Sequence, residues 1–226
     1  MPETSMSCNT PWPSRNRSAA RTAVTAAFAA MALALAGDPA PAASGPAELL
    51  SAAPAAAPRA VPDGVTRLLP EAVAVGAGTL RFWGLTIYHA YLYAPPDWRP
   101  DALGQAPVVL ELHYQRAFKG ADIARRSIEE MRRAGPMTRD EESAWLSAME
   151  RVFPDVRAGD RIAGLWQPGV GARFVLTRAD GSVQSLGSID GGRFAERFFG
   201  IWLAPTTSEP ALRQALLGSA SGVSRP

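Results

Sequence analysis

Lysine is nearly missing from this chain: Lys119 is the only one, and the rest of the 23 basic residues are arginines set against 21 acidic ones. The net charge of +2, with no basic stripe and no interleaved aromatics, predicts no nucleic-acid partner. Cysteine occurs once, at Cys8, in a segment expected to be removed. Disulfides, thiolate metal sites and cysteine nucleophiles are therefore excluded together. Two histidines, His89 and His113, are too few to suggest a structural zinc site, and neither a metal nor a cofactor is expected. Phosphate-binding and nucleophile motifs are missing as well. Gly187-Ser-Ile-Asp-Gly-Gly192 lacks the spacing and the lysine of a phosphate loop. Gly218-Ser-Ala-Ser-Gly222 comes close to the spelling of a nucleophile elbow but has no strand before it. The acidic pairs Glu129-Glu130 and Glu141-Glu142 read as solvated helix surface, since a glycosidase or metal site needs carboxylates converging from separate elements.

What is present begins with an export signal. Arg15, Arg17 and Arg21 precede an apolar run from Thr22 to Ala36, followed by Ala40-Pro41-Ala42, the layout of a cleavable signal over residues 1–43. The run is shorter than the roughly 20 apolar residues a bilayer span needs, so the mature chain is expected in the periplasm or outside the cell, with no membrane span left. Residues 44–64 are Ala- and Pro-rich and bury too little to order themselves, so they read as a disordered linker. A single folded domain is expected over residues 65–218, and an unstructured tail over 219–226.

The domain is organised around the stretch from Gly76 to Ala94, two strands meeting at Gly84. Alternation places Thr79, Arg81 and Trp83 on one face of the first strand and Leu80 and Phe82 on the other. The second strand is apolar on both faces, which predicts an interior position in the sheet. Prolines from Pro95 to Pro100 force a loop. A strand over residues 108–118 follows, with Leu110, Leu112, Tyr114, Arg116 and Phe118 sharing its apolar face. Arg116 reads either as a guanidinium snorkelling to water or as a partly buried one that receives an anion. A helix over residues 121–134 carries Ile123, Ser127, Ile128 and Met131 on its inner stripe. Thr138-Arg-Asp-Glu141 is a capping box opening a second helix to Val152. Three short strands follow, the last two joined at Asp180-Gly181. Asp190 is expected to cap a helix carrying Phe194, Phe198, Phe199 and Trp202, and a short closing helix stops at Gly218.

Several pieces of this pattern resemble the bacterial chalcone isomerase-like family. They are Gly76-x-Gly78-x-x-Arg81; Gly84-x-x-x-Tyr88-x-Ala90-x-Leu92-Tyr93; Ser127-x-x-Glu130-Met131; Phe153-Pro-Asp-Val156 with Gly159-Asp160; and Phe198-Phe-Gly-Ile-Trp-Leu203 with Leu212, Leu216 and Gly218. The resemblance implies an α+β fold, an open-faced sandwich in which helices cover one side of a long antiparallel sheet, with a ligand cleft between the layers. In plant members an arginine, a threonine, a tyrosine, an asparagine and a late serine or threonine cyclise a chalcone. Carried over, Arg81 matches the arginine, Tyr88 stands in the threonine's place, the tyrosine's place falls near Gly120, and Ser127 stands for the asparagine. Without the threonine and tyrosine, electrostatic stabilisation of the reacting ketone is weak.

Non-catalytic relatives of this fold bind fatty acids through an arginine, and a guanidinium holds a carboxylate by two parallel bonds. The leading expectation is accordingly an exported, cofactor-free binder of a fatty acid or similar amphipathic carboxylate. Arg81 or Arg116 is the candidate anion anchor, with Tyr88, Tyr114 and Ser127 as further ligand contacts. The alternatives are an isomerase or intramolecular lyase using Arg81, Tyr88 and Ser127, and a structural partner at the cell envelope with a filled cleft.

Overall fold

The computed structural model of the chain describes residues 60–218; the expected signal, most of the linker and the tail lie outside them. Six strands form one antiparallel sheet in simple chain order: β1 (Val73–Phe82), β2 (Leu85–Ala94), β3 (Val108–Tyr114), β4 (Arg161–Gln167), β5 (Gly171–Thr177) and β6 (Val183–Asp190). Helix α1 (Asp63–Leu68) precedes the sheet. Helices α2 (Gly120–Arg133) and α3 (Arg139–Val152) connect β3 to β4, and α4 (Gly192–Leu203) and α5 (Pro210–Leu216) close the chain. The architecture is the expected α+β one, with β2 inside the sheet between β1 and β3.

One sheet face carries the main core. Leu80, Tyr88, Leu92, Leu110, Leu112, Phe174 and Leu176 pack against Ile128 and Met131 of α2, Met149 of α3, the aromatic residues of α4, and Leu212 and Leu216 of α5. The opposite face is not bare. Val65 and Leu68 of α1 pack there on Tyr93, Val109, Leu165 and Val175. That helix begins inside the expected linker, because Pro62 supplies the carbonyl for its first amides and its two apolar residues have a sheet surface to cover.

Glycine makes the close approaches. A Cβ on Gly76 would lie 2.2 Å from the carbonyl oxygen of Ala215, and one on Gly78 would lie 2.5 Å from Leu212 Cδ1. The Gly-x-Gly spacing thus clears the inward face of edge strand β1 for α5. At the hairpin between β1 and β2, Trp83 (φ 47°) and Gly84 (φ 76°) make a two-residue turn with both central residues left-handed. For a tryptophan this conformation costs roughly 1–2 kcal/mol, and with the side chain 86% exposed little burial offsets it.

The capping box at Thr138 is formed as expected: its side chain accepts from Glu141 N–H at 3.1 Å and Glu141 accepts from Thr138 N–H at 2.9 Å. The cap contributes about 1 kcal/mol. Glu141 also accepts from Arg193 of α4 at 2.6 Å, so one carboxylate ties two helices together.

Three expectations need correction. The third strand ends at Tyr114 and not at Phe118, because its partner β4 begins at Arg161, opposite His113; Arg116 therefore sits in the loop beyond the strand. Asp190 is the last residue of β6, paired with Gly171, and Gly191 at φ 109° turns the chain into α4 without a side-chain cap. Glu130 is buried and not solvated, since it faces Ser208, which donates to it at 3.1 Å.

Candidate functional site

Between the sheet and α2 and α4 lies a cavity of about 150 Å³. Strands β2 to β5 supply its floor, including Tyr88, Leu112, Tyr114 and Gly164; Phe153 and Phe174 close one side, and Phe198, Phe199 and Trp202 of α4 form the roof. Arg116 stands at the rim, while Ile123, Arg126, Ser127 and Glu130 line it from α2. Those four residues fall at offsets of zero, three, four and seven, so a single helix face presents them.

Aromatic rings fix the walls. Phe198 contacts Phe153, Phe174, Phe194, Phe199 and Trp202 with ring centroids 5.3–5.8 Å apart, mostly edge to face. Such pairs add about 0.5–1.5 kcal/mol each beyond area burial, so these rings hold the cavity's shape. Gly164 keeps room beneath them, since a Cβ there would meet Phe174 at 3.0 Å and Phe199 at 3.2 Å.

The polar groups are few and mostly engaged. Trp202 Nε1 donates to the Tyr88 hydroxyl at 2.9 Å across the buried layer. Burial pushes the Tyr88 and Tyr114 phenols far above the usual tyrosine range, so both stay protonated. Ser127 Oγ donates to the carbonyl of Ile123 one turn back, at 2.8 Å. Arg126 pairs with Glu129 at 2.8 Å and with Glu130, and Arg133 adds a 3.5 Å contact to Glu130. Arg116 is exposed and makes no ion pair among the described residues.

Of the residues singled out in the sequence, the structure brings Tyr88, Tyr114, Arg116 and Ser127 to this one cavity. Arg81 is not among its lining residues; it is exposed near the hairpin turn, just past a register shift that follows Leu80. Sequence reasoning missed Arg126, Glu130 and Trp202. The helix spacing from Ile123 already contained the first two, but both are charged residues flanked by further charges.

A second polar cluster lies on the other sheet face. Glu111 is buried among Tyr91, Ala163 and the α1 side of the core, and its Oε1 has no hydrogen-bond partner among the described residues. Burial raises its pKa to about 7, with Arg161 pulling the other way. In the neighbouring row, Thr79 Oγ1 lies 2.8 Å from His89 Nδ1, and the His89 and His113 rings are 6.2 Å apart.

These features define an open-faced α+β sandwich holding an apolar cleft under an aromatic helix. The chain belongs to the chalcone isomerase-like family, whose model matches residues 70–218. It is 30% identical over 114 residues, 50% of its own length, to an uncharacterized protein of Haemophilus influenzae, and it spans about half (53%) of the length of that curated relative. Among solved structures it is similar to the fatty-acid binding protein AtFAP1 of Arabidopsis thaliana, with a TM-score of 0.49 and 14% identity, covering 66% of this chain and 88% of that one.

Proposed function

We infer that this protein is a non-catalytic binder of a small amphipathic carboxylate, exported to the cell envelope by the signal read in residues 1–43. The observation that carries the reading is an apolar, ring-walled cavity whose rim bears the guanidinium of Arg116 without an ion-pair partner among the described residues. A carboxylate at the rim would take two parallel bonds from it while the apolar part enters the cleft. Size narrows the ligand. A cavity of about 150 Å³ is the volume that accommodates one benzene ring, so a single ring or a short chain fits inside, and any longer tail would lie outside.

Three observations favour binding over isomerisation. Both phenols are held protonated, so neither serves as a base. The Ser127 hydroxyl is spent on its own helix. At Gly120, near which the resemblance puts the tyrosine of plant members, a Cβ would fall 1.9 Å from the Phe153 carbonyl oxygen, so no side chain can stand at that position without moving α2. The open volume also favours a ligand over a filled cleft serving assembly alone.

The test is native mass spectrometry of the protein taken from its own envelope, followed by titration with octanoate. A bound small acid, with octanoate affinity reduced at least tenfold in Arg116→Ala and abolished in Ser127→Leu, is the expected result. An empty protein that ignores octanoate refutes the reading.

A further inference from the structure

The tip of the β1–β2 hairpin carries an apolar group with no role in the fold. Trp83 is 86% exposed and Leu85 44% exposed. The Phe82 ring stacks on Trp83 at 5.7 Å, and a side chain added at Gly84 would meet nothing within 4 Å. Trp83 holds a left-handed backbone there, a position where asparagine or glycine is the residue the turn favours. The strand pair from Val73 to Ala94 contains no aspartate or glutamate, and Arg81 is its only arginine. Two residues beyond Leu85, Ile87 lines the cavity, and its carbonyl accepts from Gln115 N–H at 3.0 Å. That bond ties the hairpin to the loop bearing Arg116, so the tip and the cavity mouth share one end of the molecule.

We propose that this tip docks on an anionic bilayer, Trp83 entering the headgroup region with Phe82 and Leu85 beside it, while Arg81 and Arg116 meet lipid phosphates. An indole has an apolar body and a polar N–H, the combination that settles at a membrane–water interface. Arginines that make no ion pair among the described residues add attraction to a negative surface. A protein partner fits less well, because a stable interface needs about 800 Å² on each side and a protruding four-residue tip offers only part of that. A bilayer requires no matching shape. Docked this way, the cavity mouth faces the surface from which an amphipathic acid is drawn; this loading role rests on the binding reading above, whereas the docking itself does not.

The experiment is flotation of the chain from Ser44 onward with vesicles of phosphatidylcholine alone and of equal parts phosphatidylcholine and phosphatidylglycerol, with tryptophan emission recorded alongside. Wild type is expected to float with the anionic vesicles and to shift its emission to the blue. Trp83→Asn, which suits the turn and keeps the hairpin, is expected to lose at least tenfold in partitioning, and Arg81→Gln roughly fivefold on anionic vesicles only. Equal partitioning of wild type and Trp83→Asn overturns the proposal. So does absence of wild-type binding, or a lipid-free dimer in sedimentation equilibrium that Trp83→Asn abolishes. Octanoate titration of the same proteins separates the two readings: lost docking with intact octanoate binding refutes the tip alone, and docking without octanoate binding refutes the cavity reading alone.

Discussion

Glu111→Gln is expected to flatten the pH dependence of this protein's stability. In the folded chain Glu111 is buried, and its pKa is raised from 4.5 to about 7, mainly by burial. Below pH 4.5 the carboxyl is protonated in folded and unfolded states alike and ionisation costs nothing. Between pH 4.5 and about 7 the unfolded chain releases the proton while the folded chain keeps it. The folded state then binds more protons, and stability falls as pH rises. Above pH 7 both states are ionised and the loss levels off. At about 1.4 kcal/mol per pH unit, the gap amounts to about 3 kcal/mol.

Glutamine keeps the shape of the side chain and removes the ionisation. The two histidines, the tyrosines beside Glu111 and Arg161 are common to both proteins, so they largely cancel in the comparison. Urea unfolding at pH 4, 5, 6, 7 and 8 should therefore show the stability difference, variant minus wild type, rising by about 3 kcal/mol across the series, with most of the rise between pH 5 and 7. A constant offset that amide desolvation introduces leaves this slope intact. A difference that stays flat with pH refutes the reasoning and means that Glu111 is ionised at no cost in the folded protein.

Two further outcomes follow from contacts already described. Gly76→Ala drives a methyl group to within 2.2 Å of one carbonyl oxygen and 2.4 Å of another on α5; it should cost roughly 3 kcal/mol and lower the Tm by about 6–12 °C, and an unchanged thermal melt would show that α5 is free to move. Tyr88→Phe leaves the buried Trp202 N–H without its acceptor and should cost about 1–3 kcal/mol. The same change made on a Trp202→Phe background should cost less, and strict additivity in that double-mutant cycle would mean the bond contributes nothing.

Most of the fold was legible because its signals are local. Period-two alternation and punctuating turns gave β1 and β2, and the β5–β6 hairpin turns at Asp180-Gly181, although only Gly181 (φ 87°) is left-handed and the loop is closed one residue wider on each side, by Arg178 N–H donating to the Ser182 carbonyl at 2.8 Å. The capping box gave the start of α3. Failures came where a distant partner decides. Where β3 ends depends on where β4 begins, a fact outside the strand itself. Glu130 and Glu111 look like ordinary surface acids because Glu130 is met by Ser208 from the loop before α5 and Glu111 is buried on the far sheet face. The site was half legible for the same reason: the family resemblance pointed to Tyr88 and Ser127 and strand alternation put Tyr114 on one apolar face with Arg116, whereas Trp202 meets Tyr88 across 114 positions. Arg81 and Arg116 could not be separated from sequence, since a register shift on β1 and a strand end on β3 decide which one reaches the cavity rim.

The residues that mark this chain as chalcone isomerase-like are mainly fold-makers. Gly76 and Gly78 admit α5, whose Leu212 and Leu216 fill the resulting space. Phe153 walls the core, Asp155 accepts from Gly120 N–H at 3.0 Å at the start of α2, and Val156 bridges Phe118. Asp160 is buried and accepts from Arg157 N–H, Ala179 N–H and the Arg178 guanidinium, pinning the entry to β4. Phe198, Phe199 and Trp202 shape the roof. Gly120 is closely covered by the Phe153 and Pro154 backbone. A pattern made of close approaches and loop anchors carries the sandwich and its cleft, and it is indifferent to what the cleft does. Chemistry has to be read from the cavity lining and its rim, not from the fold-making part of that pattern. At the mouth of this chain's cleft stands Arg116, a residue that the pattern does not contain.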